Sequence, residues 1–445
     1  MPRYGRPAGP RNVEGDNTVI LTNARIIDPV ENRVFEGALK IENGIISNVL
    51  DTCPTLDTPG AVDCGGKYLA PGIIDIGVKI CEPGERHKES FASGGRAAAA
   101  GGVTTIVTRP DTDPVIDTPE ILEFVHRRAV ADSPVNVLPM ACLTKGRAGA
   151  EMTELAFLRD AGAVAFTDAD RPVRNPRVFL RALAYAASTG ALVIGHSQDA
   201  ELSRGAAATS GAFATKLGLP SVSPIAERLQ IMRDMAMVEA TGARFHVDQV
   251  STASGVETIS RARNRNLPVT AGTSIHHLTL NEFDIHDYRT FFKIKPPLRS
   301  ESDRMATVEA VAGGTIDIIS SMHTPQDEES KRLPFADAAS GAVALQTFLP
   351  AAMGLIHAGH LTLPQLFRAI SLNPADLLGL PVGRIAPGAP ADLMVFDSDA
   401  PFILDRHTLK SKSKNTPFDL RQMQGKVLRT FVAGKEVYNR ETDDG

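Results

Sequence analysis

The chain has 445 residues, of which 43% are hydrophobic, and a formal net charge of −5 at pH 7. No apolar run is long enough to cross a bilayer, so the sequence predicts a soluble globular protein with one large domain and a smaller one. The acidic balance argues against a nucleic-acid partner. The four cysteines have irregular spacing and follow no secretory segment, which indicates reduced thiols in the cytoplasm and no membrane partner.

The two ends of the chain share one pattern. Residues 1–17 are rich in Pro, Gly and Arg without periodicity, which predicts a disordered arm. Short alternating apolar runs separated by turn residues fill residues 18–68, and similar runs return within residues 385–440. Both ends are therefore predicted to build one small β-sandwich.

Residues 69–384 instead alternate apolar strands with amphipathic helices. The predicted strands are 73–79, 103–108, 135–141, 163–167, 191–195, 243–250, 268–273 and 316–321. The predicted helices include 88–100, 118–131, 176–189, 224–241, 253–264 and 302–312. This alternation predicts an α/β protein whose main domain is a (β/α)8 TIM-type barrel, with its chemistry at the carboxyl ends of the strands.

Several short segments along the chain carry a family resemblance. They are Ala70–Asp75, Glu82–Ser90, Arg96–Thr105, Pro114–Asp117, His196–Glu201, His246–Ser251, Pro296–Arg299 and Leu333–Phe335. Together they resemble bacterial dihydroorotases of the longer type, in the amidohydrolase superfamily, from about residue 18 to residue 438. The resemblance implies that a metal-bound hydroxide opens a cyclic amide while an aspartate acts as general base.

The resemblance also shows which functional positions have changed near the first two strands. The two metal-binding histidines of the first strand fall at Gly77 and Lys79, and neither residue can ligate a cation. The arginine that holds the substrate carboxylate falls at Cys81, for which a role as nucleophile is an alternative interpretation. Asp111 stands in place of a substrate-binding asparagine, and its charge would repel an anionic substrate.

The middle strands retain part of the implied metal site. The bridging carboxylate falls at Ala169, with Asp168 and Asp170 on either side. His196 and His246 are retained and are expected at the ends of the fifth and sixth strands. Two imidazoles alone make a poor zinc site, so the main expectation is no metal. The alternative is one zinc held by His196, His246 and either Asp168 or Asp170.

The last strands lose the remaining chemistry that the resemblance implies. Met322 replaces both a metal-binding carboxylate and the general base, so no catalytic residue is assigned. His323 is retained, and Lys295 replaces a substrate-contacting asparagine. The expected vestigial pocket comprises Gly77, Lys79, Cys81, Asp111, Ala169, His196, His246, Lys295, Met322 and His323.

These losses lead to a functional hypothesis with alternatives. We expect a catalytically inactive dihydroorotase homologue that forms homo-oligomers and serves as a structural or regulatory subunit for the catalytic chain of aspartate carbamoyltransferase in pyrimidine biosynthesis. The first alternative is an active mononuclear-metal cyclic amidohydrolase of the dihydroorotase, allantoinase or hydantoinase type. The second alternative is a sensor that binds a small anion.

One physical compensation is predicted for the lost metals. Carboxylates that remain without a metal would leave uncompensated charge in a partly buried site. We expect Lys79, Arg109 and Lys295 to supply positive charge there, paired with carboxylates drawn from three candidates. These candidates are Asp111, Asp113 and Asp168.

Overall fold

The computed structural model describes residues 18–443. The predicted disordered arm, residues 1–17, lies outside the described residues. Among the described helices, none has both the length and the apolar content needed to cross a membrane.

The strands, in chain order, are β1 Thr18–Asp28, β2 Arg33–Glu42, β3 Ile45–Leu50, β4 Ala61–Asp63, β5 Tyr68–Pro71, β6 Ile73–Val78, β7 Val103–Thr108, β8 Asn136–Pro139, β9 Val193–His196, β10 Ala208–Thr209, β11 Ser221–Val222, β12 Phe245–Asp248, β13 Val269–Ser274, β14 Ile318–Ser320, β15 Leu393–Ile403, β16 Gln422–Val432 and β17 Lys435–Asn439. The α-helices are α1 Phe91–Ala100, α2 Pro119–Asp132, α3 Leu155–Asp160, α4 Pro176–Thr189, α5 Ala212–Leu217, α6 Ile225–Thr241, α7 Ala253–Asn264, α8 Ile275–Thr279, α9 Glu301–Ala312, α10 Glu328–Lys331, α11 Phe348–His357, α12 Leu363–Phe367, α13 Asn373–Leu378 and α14 Arg440–Asp443.

Both ends of the chain contribute to one mixed sheet. Its strand order is β17-β16-β15-β5-β1-β2-β3, with β4 added beside β1. Strand β5 joins the two ends, because it pairs parallel with β1 and antiparallel with β15. Alternating side chains such as Leu21, Ile26, Leu39 and Leu393 form a core cluster of their own under this sheet.

The middle of the chain forms parallel strands placed side by side. One group has the order β6-β7-β8 and the other β14-β13-β12-β9. The two groups are linked on one side through Phe166, which forms parallel bridges with Ala141 and Val193. On the other side the Lys79 amide donates to the His323 carbonyl over 2.9 Å. The first and last parallel strands are therefore neighbours, as a barrel requires.

The predicted strand 163–167 is wrong as a regular strand. Its backbone still pairs on both sides, since Ala141 N donates to Ala165 O and Ile194 N donates to Phe166 O. The backbone has φ of +111° at Gly162 and +53° at Ala169, so it turns shortly before and shortly after this segment. Within this segment only Phe166 forms β-bridges, so it is not a continuous strand.

Local sequence explains the helices that surround the parallel strands. Helix α4 begins after Asn175, whose side chain accepts from the amides of Arg177 and Val178, and Pro176 occupies the first helical position. Helix α1 begins with a capping box between Ser90 and Ser93. The six helices predicted from periodicity are all present, with ends that differ by a few residues.

Apolar side chains fill the space between the parallel strands. Ile74, Ile76, Val107, Ile194 and Ile318 belong to one buried cluster, to which β6 contributes the alternate residues Ile74 and Ile76. Several polar side chains, among them His196, lie at the carboxyl ends of these strands. We call this surface the strand-end face.

Candidate active site at the strand-end face

His196 is the last residue of β9 and lies at the strand-end face. Its side chain is 3% exposed, and neither ring nitrogen has a hydrogen-bond partner among the described residues. Burial, helped by the positive charge of Lys295, lowers the pKa of His196 to about 3. The imidazole is therefore neutral and retains a free lone pair.

His246 lies deeper than expected from the sequence. It is the second residue of β12 and pairs with Ile194, whereas Asp248 pairs with His196. Its Nδ1 lies 2.8 Å from Thr270 Oγ1, and burial lowers its pKa to about 3. The two imidazoles thus occupy different layers of side chains, and His246 is below the strand-end face.

Asp168 is turned toward the loop after β8. Its Oδ1 accepts from the amides of Leu143 and Thr144, each over 3.0 Å, and its Oδ2 accepts from the Thr144 hydroxyl over 2.5 Å. Ala169, which follows it, has no side chain that can ligate. Because its hydrogen bonds orient the carboxylate to this loop, Asp168 acts as a structural residue there.

Four charged residues form a compact group at the ends of β6 and β7. Arg109 grips Asp111 with two hydrogen bonds, Nε to Oδ1 over 3.0 Å and a terminal nitrogen to Oδ2 over 2.7 Å. Lys79 Nζ lies 3.3 Å from Asp111 and 3.5 Å from Glu85. Burial opposes ionisation of Asp111, but Arg109 and then Lys79 hold its pKa below the ordinary value. We call this group the closed cluster.

Met322 fills the space beside Gly77. A Cβ built on Gly77 would lie 2.8 Å from the Met322 sulfur, and Gly77 itself has φ of +90°. L-residues rarely adopt this conformation. A larger side chain at position 77 would therefore meet both backbone strain and the Met322 side chain.

A second charged group surrounds an open cavity at the strand-end face. Asp170 is held by Arg147 over 2.5 Å and by Lys295 over 2.9 Å. With His196 these residues line a cavity of about 580 Å³. Arg171 also lines the cavity and makes no ion pair with any described residue. We call this region the open cavity.

The open cavity has more positively charged side chains in its lining than the sequence analysis predicted. Arg174 and Arg204 line it as well, and both pair with Glu201. Cations therefore outnumber carboxylates around the cavity. The sequence analysis did not name these arginines, because they lie in loops and belong to no recognised motif. The only signal in the sequence was that these loops follow predicted strands.

Two other predicted site residues are buried. Cys81 is 1% exposed and burial raises its thiol pKa to about 12, which argues against a role as nucleophile. His323 is fully buried, its Nδ1 accepts from the amides of Ala344 and Leu345, and its Nε2 lies 3.4 Å from Glu89. His323 therefore connects the end of β14 to neighbouring segments.

Comparison with known proteins now places the chain. Residues 66–255 match the model of the dihydro-orotase-like family, and residues 337–438 match that of the amidohydrolase family. Curated relatives named dihydroorotase include one from Wolbachia sp. subsp. Drosophila simulans, 38% identical, covering 95% of this chain and 96% of its own. Another, from Desulforapulum autotrophicum, is 39% identical and covers 94% and 98%. The chain belongs to the dihydroorotase-like amidohydrolase family.

Solved structures agree on the fold. The L-hydantoinase from Arthrobacter aurescens has a TM-score of 0.85 at 24% identity, covering 95% of this chain and 96% of its own. A D-hydantoinase has a TM-score of 0.81 at 22% identity, with 95% of each chain covered. At these identities the likeness shows a mixed α/β amidohydrolase fold.

These findings correct the functional expectation from the sequence. The hypothesis of an inactive subunit for aspartate carbamoyltransferase is wrong, since the relatives bear the name of an enzyme and the match covers almost the whole chain. The alternative hypothesis, a cyclic amidohydrolase, is the better supported one. Membership of this family also favours the zinc alternative over the absence of a cofactor.

The residues at the strand-end face do not fit the implied metal. Within residues 18–443, no three His, Cys, Asp or Glu side chains lie close enough together to hold a metal ion. His246 lies a layer below His196, and Asp168 faces a loop. Asp170 is paired with Arg147 and Lys295. Neither ligand set, with Asp168 or with Asp170 as the third ligand, is therefore assembled. Among the described residues, the two nitrogens of His196 are the only buried side-chain polar atoms without a hydrogen-bond partner that line the open cavity.

Proposed function

We propose that the protein is a cyclic amidohydrolase that opens the ring of a carboxylate-bearing cyclic amide such as dihydroorotate. The single observation that carries the proposal is the open cavity, where buried and unpartnered His196 meets an excess of cations. Its volume of about 580 Å³ falls in the range of small-molecule sites. The names of the relatives support the substrate class. The proposal treats the parallel strands as a closed eight-unit barrel, with the cavity at its carboxyl-end face.

The charges in the cavity suit an anionic substrate. Lys295 and Arg171 would attract the carboxylate, and Asp170 fixes the position of Lys295. Burial opposes ionisation of Asp170, but Lys295, Arg109 and Arg147 hold its pKa far below the ordinary value. In ring opening, water adds to the ring carbonyl carbon, the carbon–nitrogen bond breaks and the nitrogen takes a proton. Neutral His196 would hold the attacking water through its free lone pair, the proton that the water loses would pass to the ring nitrogen, and the neighbouring cations would stabilise the developing oxyanion.

The test is ring opening by the purified full chain, without a His-tag, measured by chromatography of the open-chain product. Dihydroorotate, dihydrouracil, hydantoin and allantoin would be compared, each with and without added zinc. We expect turnover of dihydroorotate. His196→Gln should lower kcat at least about 100-fold, and Arg171→Met should mainly raise KM. No ring opening of any of the four compounds in either condition would overturn the proposal.

The matched control is Arg261→Gln. Arg261 is an exposed arginine that pairs with Glu257 on the outer helix α7, away from the cavity. Its replacement should leave kcat and KM unchanged. Self-association of the chain also remains a proposal, and the molecular mass in solution would test it.

A further inference from the structure

The closed cluster occupies the part of the strand-end face to which the resemblance assigns metal-binding residues. Lys79 directly follows β6, and Arg109 directly follows β7. Their backbones are tied together, since Arg109 N donates to Val78 O over 2.9 Å. Positive charge at this point therefore comes from side chains fixed to two neighbouring strands.

The charges of the closed cluster satisfy one another. Lys79 is 16% exposed and Asp111 is 5% exposed, so both groups are largely removed from water. Arg109 uses two donors on Asp111, and a third nitrogen lies 3.4 Å from Thr324 Oγ1. A carboxylate that is held by two cations in this way has little capacity left for a metal ion.

The space beside the closed cluster is also filled. Met322 covers Gly77, and its thioether sulfur stands where a side chain at position 77 would begin. A thioether is a soft and weak ligand that suits neither Mg²⁺ nor a typical zinc site. The filled space, the positive charge and the lack of suitable ligand atoms at this point all oppose binding of a divalent metal ion.

We propose that the closed cluster is a charge-balanced group of ion pairs that replaces the metal site, so that the protein folds without a divalent metal. Lys79 supplies the charge and Asp111 fixes its position. This inference does not require turnover, and it concerns a part of the strand-end face other than the open cavity.

The first test measures metal directly. Protein purified without a His-tag should contain less than about 0.1 metal ion per chain by elemental analysis. A metal that binds only the folded state raises the melting temperature. Without such a metal, the melting temperature should change by less than about 1 °C in excess EDTA or in excess zinc. One retained zinc per chain, with a loss of several degrees in EDTA, would overturn the proposal.

The second test removes the charge. Lys79→Met should lower the melting temperature by about 3–6 °C, because Asp111 and Glu85 lose a cation in a partly buried site. Adding Asp111→Asn to Lys79→Met should recover part of this loss, since the carboxylate left in excess is then gone. The control Lys145→Met removes an exposed lysine that pairs with exposed Glu151, and should change the melting temperature by less than about 1 °C. Equal effects of Lys79→Met and Lys145→Met would contradict the proposal.

The two proposals fail separately. Turnover that depends on stoichiometric zinc would overturn the metal-free centre and leave the hydrolase proposal intact. Metal-free protein that binds dihydroorotate by calorimetry but does not open it would overturn the hydrolase proposal and leave the metal-free centre intact.

Discussion

The closed cluster and the open cavity lie on the same strand-end face and use the same kinds of side chain. In the closed cluster two cations share Asp111 at short range, with little exposure to water. In the open cavity Asp170 is also held by two cations, but Lys295 is 44% exposed and Arg171 has no carboxylate partner among the described residues. The charges of the first group are paired with one another, although Arg109 also acts on Asp170 of the open cavity. The second group has a cation left for a ligand.

This difference has a physical basis in solvent access. A buried carboxylate must be paired, because the cost of leaving it without a partner is several kcal/mol. An exposed cation is hydrated, so it can remain without a carboxylate partner at little cost in free energy of folding. The closed cluster therefore contributes to folding, and the open cavity is the place to look for binding.

The largest expected effect tests the closed cluster. Asp111→Ala should lower the free energy of unfolding by about 2–4 kcal/mol, because Lys79 and Arg109 are left close together without the carboxylate they share. Urea unfolding at pH 7 measures it. The control Asp160→Ala removes an exposed carboxylate 3.9 Å from Arg159 and should cost less than about 0.5 kcal/mol.

The effect of Asp111→Ala should also depend on pH in one direction. The pKa of Asp111 is lowered in the folded state, so its contribution is complete above the ordinary carboxyl pKa and is lost as pH falls through the lowered value. The difference between wild type and Asp111→Ala should therefore shrink as the pH is lowered below about 4. A difference that grows in acid would contradict the assigned pairing.

The intermediate effect concerns the space beside the closed cluster. Gly77→Ala should cost about 2–3 kcal/mol, since the new methyl group meets the Met322 sulfur and the backbone has a positive φ. Gly146→Ala is the matched control, because Gly146 has φ of +60° with no atom near its Cβ position. It should cost only about 1 kcal/mol from backbone strain. Equal costs would mean that Met322 yields without resistance.

The smallest effect concerns the open cavity. Lys295→Met should change the free energy of unfolding by less than about 1 kcal/mol, because the pair with Asp170 is partly exposed. The change should fall further in about 0.5 M salt, which screens exposed charges. The same substitution should weaken dihydroorotate binding measurably. If Lys295→Met lowered the free energy of unfolding as much as Asp111→Ala, the proposed difference in stabilising effect between the closed cluster and the open cavity would be wrong.

The sequence predicted the pattern of the fold well. Alternation of apolar strands and amphipathic helices located seven of the eight predicted parallel strands and all six named helices, because periodicity is a local property of the chain. The prediction of a regular strand at 163–167 was wrong, since the positive φ at nearby Ala169 cannot be inferred from an alanine. The boundaries of the predicted domains and the layers of the sandwich remain predictions.

The candidate site was predicted in part. The sequence alone established that Gly77, Lys79 and Met322 stand at positions where the family resemblance implies ligands, and that cations would compensate the remaining carboxylates. The compensation is observed for Lys79 and Arg109 with Asp111. The function drawn from these losses was wrong, because missing ligands do not by themselves define what a cavity binds.

Only the tertiary structure decided which groups meet. Lys295 pairs with Asp170 across 125 sequence positions, rather than with Asp113 or Asp168. His246 lies a layer below His196 because the register of β12 against β9 sets its depth. Residue identity fixes which charges a chain has to satisfy, but the packing of parallel strands fixes the distances between them, and those distances separate a closed cluster from an open cavity.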